Sequence, residues 1–262
     1  MEFYGDYHTH TNNSDAEQTL NELVQAAREK GLKEVAVTDH GPLAAVIGVK
    51  SADTYIKLRE KIDVLNQEFD DITILLGAEA NIRDDEGTLD VPPEVIKEMD
   101  ILIAGLHPYT LPSSIEDGIE IFVQNSLRHL GKGQREKAIT ANTKACVAAI
   151  ENNPELDILS HPGLFFKVDV EEVARACIKH DVLFEINCGH EHPDLSDIIK
   201  VDKLGGKFIV NSDAHYPYSV GNLEYGKWVV NKLKLDESKV ANALSGGGHQ
   251  RWAKKVKACT YS

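Results

Sequence analysis

The chain has no apolar run long enough to cross a membrane, no paired cysteine motif and few basic side chains. None of its apolar stretches approaches the roughly eighteen residues that a transmembrane helix needs. The N-terminal segment MEFYGDYHTH has neither a basic region nor an apolar core, so we expect no signal peptide and a cytoplasmic protein. Cys146, Cys177, Cys188 and Cys259 form no CxxC pair, which favours reduced thiols over disulfides or a thiolate metal site.

The charge balance excludes a general nucleic-acid-binding surface. The 262 residues include 28 Lys and Arg against 42 Asp and Glu, a net charge of −14, whereas such a surface needs a basic stripe to neutralise phosphates. A local positive site stays compatible with this charge, because bound divalent cations reverse the sign within a pocket. The composition gives no indication of the oligomeric state.

Short apolar runs alternate with amphipathic segments along the whole chain. Several runs are apolar almost throughout, which is typical of strands buried on both faces. The predicted strands are Phe3–Tyr7, Glu34–Val37, Ile72–Gly77, Ile101–Leu106, Leu156–Leu159, Leu183–Ile186 and Lys207–Val210. The predicted helices are Leu20–Lys30, Ala52–Phe69, Arg135–Asn152, Val170–His180, Asp194–Leu204 and Leu223–Leu233.

This alternation predicts a single α/β domain over residues 1–262. No linker, composition shift or internal repeat divides the chain, and repeated βα units indicate a parallel sheet that closes, or nearly closes, into a barrel. An open doubly wound sheet is the alternative, but no glycine-rich phosphate loop follows the first strand to favour it. Three successive glycines at 246–248 predict a flexible tail over residues 246–262.

Histidines and carboxylates recur where the predicted strands end. His8 and His10 stand two residues apart, so both side chains face the same way on a strand. In a parallel barrel the carboxyl ends of the strands share one mouth, so this pattern predicts one metal site built from many strands. Imidazole and carboxylate ligands suit Zn, Fe or Mn. The residues concerned are His8, His10, His40, Glu79, His107, His161, Asp213 and His215.

An ordered set of motifs resembles a known family. The segments YHTHTNNSD, VTDHG, LLGAEANI, GLHP, LSHPG and NSDAH follow one another between residue 5 and about residue 215. Together they resemble the PHP family of metal-dependent phosphoesterases (polymerase and histidinol phosphatase). The resemblance implies a distorted (β/α)7, TIM-like barrel that holds a cluster of up to three divalent metal ions, taken from Zn, Mn and Fe.

The resemblance also implies a ligand set, position by position. His8, His10, Glu79 and Asp213 are expected to bind a first ion, and Glu79, His107 and His161 a second. Asp15, His40 and His215 are expected to bind the third. Relatives carry either histidine or aspartate at the position of Asp15. We expect Asp39 to orient a ligand or a strand end instead of binding metal.

These ligands predict hydrolysis of phosphate esters. Three divalent ions and three carboxylates give the pocket a charge of about +3, which attracts a phosphate dianion. The expected nucleophile is a hydroxide between the first two ions, since such ions lower the pKa of bound water to about 7. No side chain is assigned as the general acid. The expected partner is a small phosphorylated substrate, as a monoester or a small diester.

Four residues are candidate substrate contacts: Tyr109 after GLHP, Arg135 in the long connection after the fourth strand, Asn187 at a strand end, and His190 in the loop INCGHEHPD. Within the phosphoesterase class, histidinol-phosphate phosphatase is one specific alternative. A metal-dependent hydrolase of C–N bonds is another, although the chain lacks a metal-bridging lysine at a strand end. A metal-binding module without turnover is the third, although all nine expected ligands are present.

Overall fold

Seven parallel strands form one sheet in chain order in the computed structural model, which describes residues 1–245 and Trp252. Each strand pairs in parallel with the next. The strands are β1 Gly5–Asp6, β2 Glu34–Val37, β3 Thr73–Asn81, β4 Ile101–Gly105, β5 Ile158–Leu159, β6 Leu183–Asn187 and β7 Phe208–Asn211.

Helices fill the connections, and all six predicted helices are present. The helix that we predicted to begin at Arg135 begins earlier, at Lys132. The helices are α1 Leu20–Glu29, α2 Asp53–Glu68, α3 Pro93–Ile96, α4 Ile115–Asp117, α5 Gln124–Leu127, α6 Lys132–Asn152, α7 Val170–His180, α8 Leu195–Leu204 and α9 Glu224–Leu233, with a π-helical turn, Gly118–Val123, joining α4 to α5. Among residues 1–245 and Trp252, no helix combines the length and the apolar character needed to cross a membrane.

The first and last strands meet through a seam held largely by side chains. Beyond their ends, Thr9 and Ala214 form a parallel bridge, and the Tyr7 N–H donates to Asn211 Oδ1 at 3.1 Å. The carboxylate of Asp6 accepts from the backbone N–H of Ser212, at 3.0 Å. The sheet is therefore a nearly closed barrel, and the predicted fold class is confirmed.

Strand β3 is longer than its sequence suggests. We predicted that it ends at Gly77, but it continues to Asn81, so Glu79 lies inside the strand and not at its end. A side chain at Gly77 would meet Ile101 of β4, since a Cβ there would lie 2.6 Å from Ile101 Cγ2. The glycine thus marks a close approach of two strands and does not terminate one.

Successive side chains of each strand point to opposite faces of the sheet, so the core has two layers. One set of side chains packs between the sheet and the helices, and it includes Val35, Val37 and Leu76. The intervening residues point into the barrel. That interior cluster consists of Tyr7, Ala36, Leu75, Ile101, Ile103, Ile158, Leu183, Ile209 and Trp252.

Trp252 is the one residue of the predicted tail that the structure describes, and it is fully buried. Its ring centroid lies 4.5 Å from that of Tyr7. This placement does not fit a flexible tail at that position. The remaining tail positions, 246–251 and 253–262, lie outside the described residues.

Glu34, at the start of β2, gives the fold a dependence on pH. Its carboxylate accepts from the Tyr7 hydroxyl at 2.7 Å, and burial raises the pKa of Glu34 from 4.5 to about 7. The folded protein therefore keeps a proton that the unfolded chain releases, so stability falls as the pH rises from about 4.5 to about 7. We expect Glu34→Gln to raise the free energy of unfolding at pH 8 by up to about 3 kcal/mol and to leave it nearly unchanged at pH 4.5.

Urea denaturation at both pH values measures this effect. Glu60→Gln, at an exposed position of α2, is the matched control and should change stability equally little at both. An equal effect of Glu34→Gln at pH 4.5 and pH 8 would show that the Glu34 proton is not involved.

Candidate metal centre

Glu79 lies at the centre of a cluster of imidazoles at the carboxyl-terminal mouth of the barrel. It follows Leu75 and Gly77 on the inward face of β3. Both of its carboxylate oxygens face histidine nitrogens. Oε2 lies 3.0 Å from His40 Nδ1, 3.2 Å from His8 Nε2 and 3.6 Å from His10 Nε2, and Oε1 lies 2.9 Å from His161 Nε2 and 3.2 Å from His107 Nε2.

The other predicted ligands adjoin this cluster. Asp213 Oδ1 lies 3.2 Å from His10 Nε2 and 3.5 Å from His8 Nε2. Asp15 Oδ1 lies 3.3 Å from His215 Nε2, and Asp15 Oδ2 lies 3.9 Å from His40 Nε2. The structure therefore brings all nine predicted ligands together at one mouth of the barrel.

The donor atoms fall into groups that could each hold an ion. Within four groups all potential ligand atoms lie within 4.8 Å of one another. One group contains the three ligands expected for the third ion together with His10. Around Glu79 Oε1, the Nε2 atoms of His107 and His161 lie 3.4 Å apart, as a shared ion requires. The groups are His10–Asp15–His40–His215, His8–His10–Asp213, His8–Glu79–His161 and His40–Glu79–His107.

Several buried polar atoms of the cluster lack hydrogen-bond partners. Leaving such an atom unpaired costs about 1–3 kcal/mol, so native proteins rarely do it without a ligand. Imidazole nitrogens and carboxylate oxygens are ligand atoms for Zn, Mn and Fe, so these residues fit divalent metal ions. The six atoms are His8 Nε2, His10 Nδ1, His10 Nε2, His40 Nδ1, Glu79 Oε2 and Asp213 Oδ1.

Four of the predicted ligands have protonation states that suit metal binding. Burial and neighbouring imidazoles lower the pKa of His10 to about 3, and burial lowers the pKa of His107 to about 4. Burial alone would raise the pKa of Glu79, but the surrounding imidazoles, that of His8 first, hold it well below its usual range. The pKa of Asp213 is lowered in the same way. At neutral pH these groups are unprotonated, the form in which they ligate.

Glu185 contacts two of the predicted ligands, His8 and His161, and our sequence analysis did not identify it. It is fully buried on β6, two residues after Leu183 on the inward face. Its Oε1 lies 2.7 Å from His8 Nδ1, and its Oε2 accepts from the His161 backbone N–H at 2.8 Å. Burial would lower the pKa of His8, but Glu185 and the other carboxylates raise it well above its usual value.

Other buried groups orient the remaining ligands. Asn81 Oδ1 lies 2.7 Å from His107 Nδ1, and the Ser160 hydroxyl donates to Glu79 Oε1 at 2.8 Å. Asp39 accepts from the Thr11 N–H at 2.6 Å and from the Ser14 hydroxyl at 2.7 Å. Asp39 thus holds the loop that carries Asp15, in agreement with its expected orienting role.

A cavity of about 400 Å³ opens onto the cluster. Among the described residues that line it there is no lysine or arginine. One wall is aromatic, because the Tyr109 ring stacks on His107 at 5.4 Å and Phe165, which we did not predict, lies edge-on to His161 at 5.5 Å. Burial, and then Glu79, raise the pKa of Tyr109, so its hydroxyl stays protonated. The lining residues are Asp15, His40, Glu79, Tyr109, His161, Phe165, Gly189, His190, Ser212, Asp213, His215, Tyr216 and Ser219.

The four candidate substrate contacts are placed differently. Tyr109 and His190 line the cavity. Asn187 is fully buried and donates to Asp213 Oδ2 at 3.0 Å, so it positions a ligand and does not reach the cavity. Arg135 does not line this cavity, in contrast to our expectation. It lies in the first turn of α6, which begins at Lys132. Together with Arg128 it lines a separate cavity of about 560 Å³.

Known proteins resemble this chain over most of its length. Residues 6–187 match the model of the PHP domain family. A probable phosphatase from Thermoanaerobacter sp. (strain X514) is 32% identical over 256 residues, covering 94% of this chain and 93% of that protein. A probable phosphatase from Shewanella piezotolerans is 29% identical over 267 residues, covering 95% and 96%.

Solved structures share the fold. The crystal structure of histidinol phosphate phosphatase from Lactococcus lactis, complexed with zinc, L-histidinol and phosphate, superposes with a TM-score of 0.64 at 22% identity, covering 90% of this chain and 95% of that one. A putative histidinol phosphatase from Listeria monocytogenes gives a TM-score of 0.64 at 19% identity, covering 85% and 99%.

Proposed function

The chain belongs to the PHP domain family, and on that premise we propose that it is a metal-dependent phosphatase with a centre of three divalent ions. The observation that carries the proposal is the set of six buried, unpaired ligand atoms around Glu79 and Asp213. Without hydrogen-bond partners or bound cations, these buried polar atoms would destabilise the mouth of the barrel. Bound cations would give each of these residues a partner at once, in the case of His10 through one of its two ring nitrogens.

The walls of the cavity favour a small phosphate ester. No lysine or arginine among the described lining residues is available to neutralise a phosphate, so we infer that cations at the cluster balance most of that charge. When bound, the ions would supply the Lewis acidity that activates water and offsets charge on the phosphoryl oxygens. The aromatic wall of Tyr109 and Phe165 would contact the leaving group.

The chain's own residues have distinct roles in this proposal. The nine ligands hold the ions, and Glu185 fixes the His8 ring so that its Nε2 faces Glu79. The protonated Tyr109 hydroxyl can donate a hydrogen bond to a substrate oxygen. His190 Nε2 lies 3.5 Å from Asp213 Oδ2 at the mouth, where it can contact the substrate. A cytoplasmic location is part of this proposal.

A substrate panel tests the function. We expect the protein with added Mn²⁺ or Zn²⁺ to hydrolyse p-nitrophenyl phosphate and small natural monoesters, with histidinol phosphate included, and to lose activity on prolonged chelation. Bis-p-nitrophenyl phosphate tests for diester hydrolysis and a cyclic amide tests for C–N bond hydrolysis. Turnover of the cyclic amide without any phosphate ester would refute the proposal, as would the absence of all turnover with each metal.

The number of ions is tested at Asp15, whose Oδ1 lies 3.3 Å from His215 Nε2. We expect Asp15→Ala to bind one equivalent of metal fewer than the native protein, because the other proposed ligand sets do not include it. Elemental analysis after dialysis gives the count. Asp53→Ala, at an exposed position of α2, should leave the count unchanged. Three equivalents in Asp15→Ala would exclude its role as a ligand.

Glu185 provides a test of ligand positioning. We expect Glu185→Gln to weaken metal binding by about 10–100-fold, the usual effect of removing a partner that orients a ligand. Competition with a fluorescent chelator measures the affinity, independently of turnover. The matched control is Glu172→Gln on the exposed surface of α7. Native affinity in Glu185→Gln would show that the His8 ring needs no support from this carboxylate.

A further inference from the structure

The segment from Ile115 to Leu130, which is helical as far as Leu127, exposes large apolar side chains. Four of them recur every fourth residue and share one face of the helical part, and Leu130 follows beyond its end. Soluble monomers rarely leave such a continuous stripe uncovered. The exposed fractions are 84% for Ile115, 55% for Ile119, 45% for Val123, 36% for Leu127 and 74% for Leu130.

The opposite side of the segment is hydrogen-bonded to α6, so the apolar face stays towards solvent. Ile121 and Asn125 are buried. The amide of Asn125 donates to Asn142 Oδ1 of α6 at 2.6 Å, and the amide of Asn142 donates back to Asn125 Oδ1 at 3.0 Å. Rotating the segment to bury its apolar side would break both bonds.

Four of the five apolar residues of the stripe are placed symmetrically along the chain. Ile115 and Leu127 stand equally far from Ile121 along the chain, and so do Ile119 and Val123. In an antiparallel pair of such segments, related by a two-fold axis, Ile119 of one copy would meet Val123 of the other. Ile115 would meet Leu127 in the same way.

The charges at the two ends are complementary in that arrangement. Glu116 and Asp117 lie at the beginning of the segment, whereas Arg128 and Lys132 lie at and beyond its end. Antiparallel pairing places the acidic end of one copy against the basic end of the other, twice per pair. A parallel pair would place like charges together.

We propose that this face is the contact between two copies of the chain, in a symmetric dimer. The proposal is independent of the enzymatic function. A membrane of anionic lipids is the other surface that takes an apolar helix face, but the net charge of −14 and the acidic end of the stripe would be repelled by it.

Measurement of the molar mass tests the proposal. Sedimentation equilibrium of the full chain at tens of micromolar should give twice 28.9 kDa. Ile119→Lys should raise the dimer dissociation constant by roughly 30-fold or more, as expected for a central contact. The matched control is Ile178→Lys, since Ile178 is 41% exposed on α7 outside the stripe; it should keep the native constant.

A charge exchange tests the antiparallel arrangement. Glu116→Arg and Arg128→Glu should each weaken the dimer, and the two changes together should restore it, because each copy then carries the swapped pair. Circular dichroism checks that every variant is folded. A monomer at all concentrations, a dimer insensitive to Ile119→Lys, or cosedimentation of a monomer with phosphatidylserine vesicles would each overturn the proposal.

Discussion

Glu79→Gln is expected to reduce phosphate-ester hydrolysis by on the order of 10³-fold or more, together with a loss of bound metal. Both oxygens of this carboxylate face imidazole nitrogens, and Oε2 is buried without a hydrogen-bond partner. The amide keeps the shape of the side chain but removes its charge. It also replaces one ligand oxygen with an NH₂ group, which cannot bind a cation. Two groups of donors would therefore lose their shared member.

Steady-state kinetics and elemental analysis on the same sample measure this effect. Glu68→Gln is the matched control, because Glu68 is exposed at the end of α2, and it should retain native activity and metal content. Thermal unfolding checks that Glu79→Gln remains folded. A folded Glu79→Gln protein with native turnover would place the reacting centre elsewhere.

Trp252→Ala is expected to destabilise the fold by about 3–5 kcal/mol, the usual cost of truncating a buried tryptophan to alanine. Trp252 is fully buried, and its ring lies 4.5 Å from Tyr7 among the inward-facing residues of the barrel. Removing the indole would leave a cavity bounded by strand residues that are themselves held in the sheet and cannot collapse into it.

Urea denaturation followed by circular dichroism measures the loss. Trp228→Ala is the matched control, because Trp228 is 50% exposed on α9, and its loss should cost less than about 1 kcal/mol. Equal effects of the two substitutions would show that Trp252 contributes no more than a surface side chain.

The fold and the clustering of the candidate ligands could be predicted because they depend on local patterns. Runs such as Ile101–Leu106 contain no polar side chain and alternate with amphipathic helices, a pattern that favours parallel strands in chain order. Since such strands share one mouth, His8, Glu79 and Asp213 could be expected to meet even though they are far apart in sequence. The assignment of each ligand to an ion stays a prediction.

Other features depend on contacts that no local pattern specifies. In the sequence, Gly77 looks like the end of a strand. Only the structure shows that Ile101 of β4 lies too close for a side chain at this position. Glu185 lies within an apolar run, where an acidic residue is conspicuous, but its partner His8 is 177 positions away. Arg135 was assigned to the pocket from its charge alone, whereas the start of α6 decides where its side chain lies.

The seam between β1 and β7 has a consequence for biosynthesis. His8 and His10 emerge from the ribosome about 200 residues before Asp213 and His215, which lie on the other side of the seam. A nascent chain released before residue 214 lacks His215 of the proposed ligand set and also lacks the carbonyl of Ala214 that receives the His10 N–H. The proposed centre can therefore assemble only after residue 215 has been made, and products of translation that stop earlier cannot carry it.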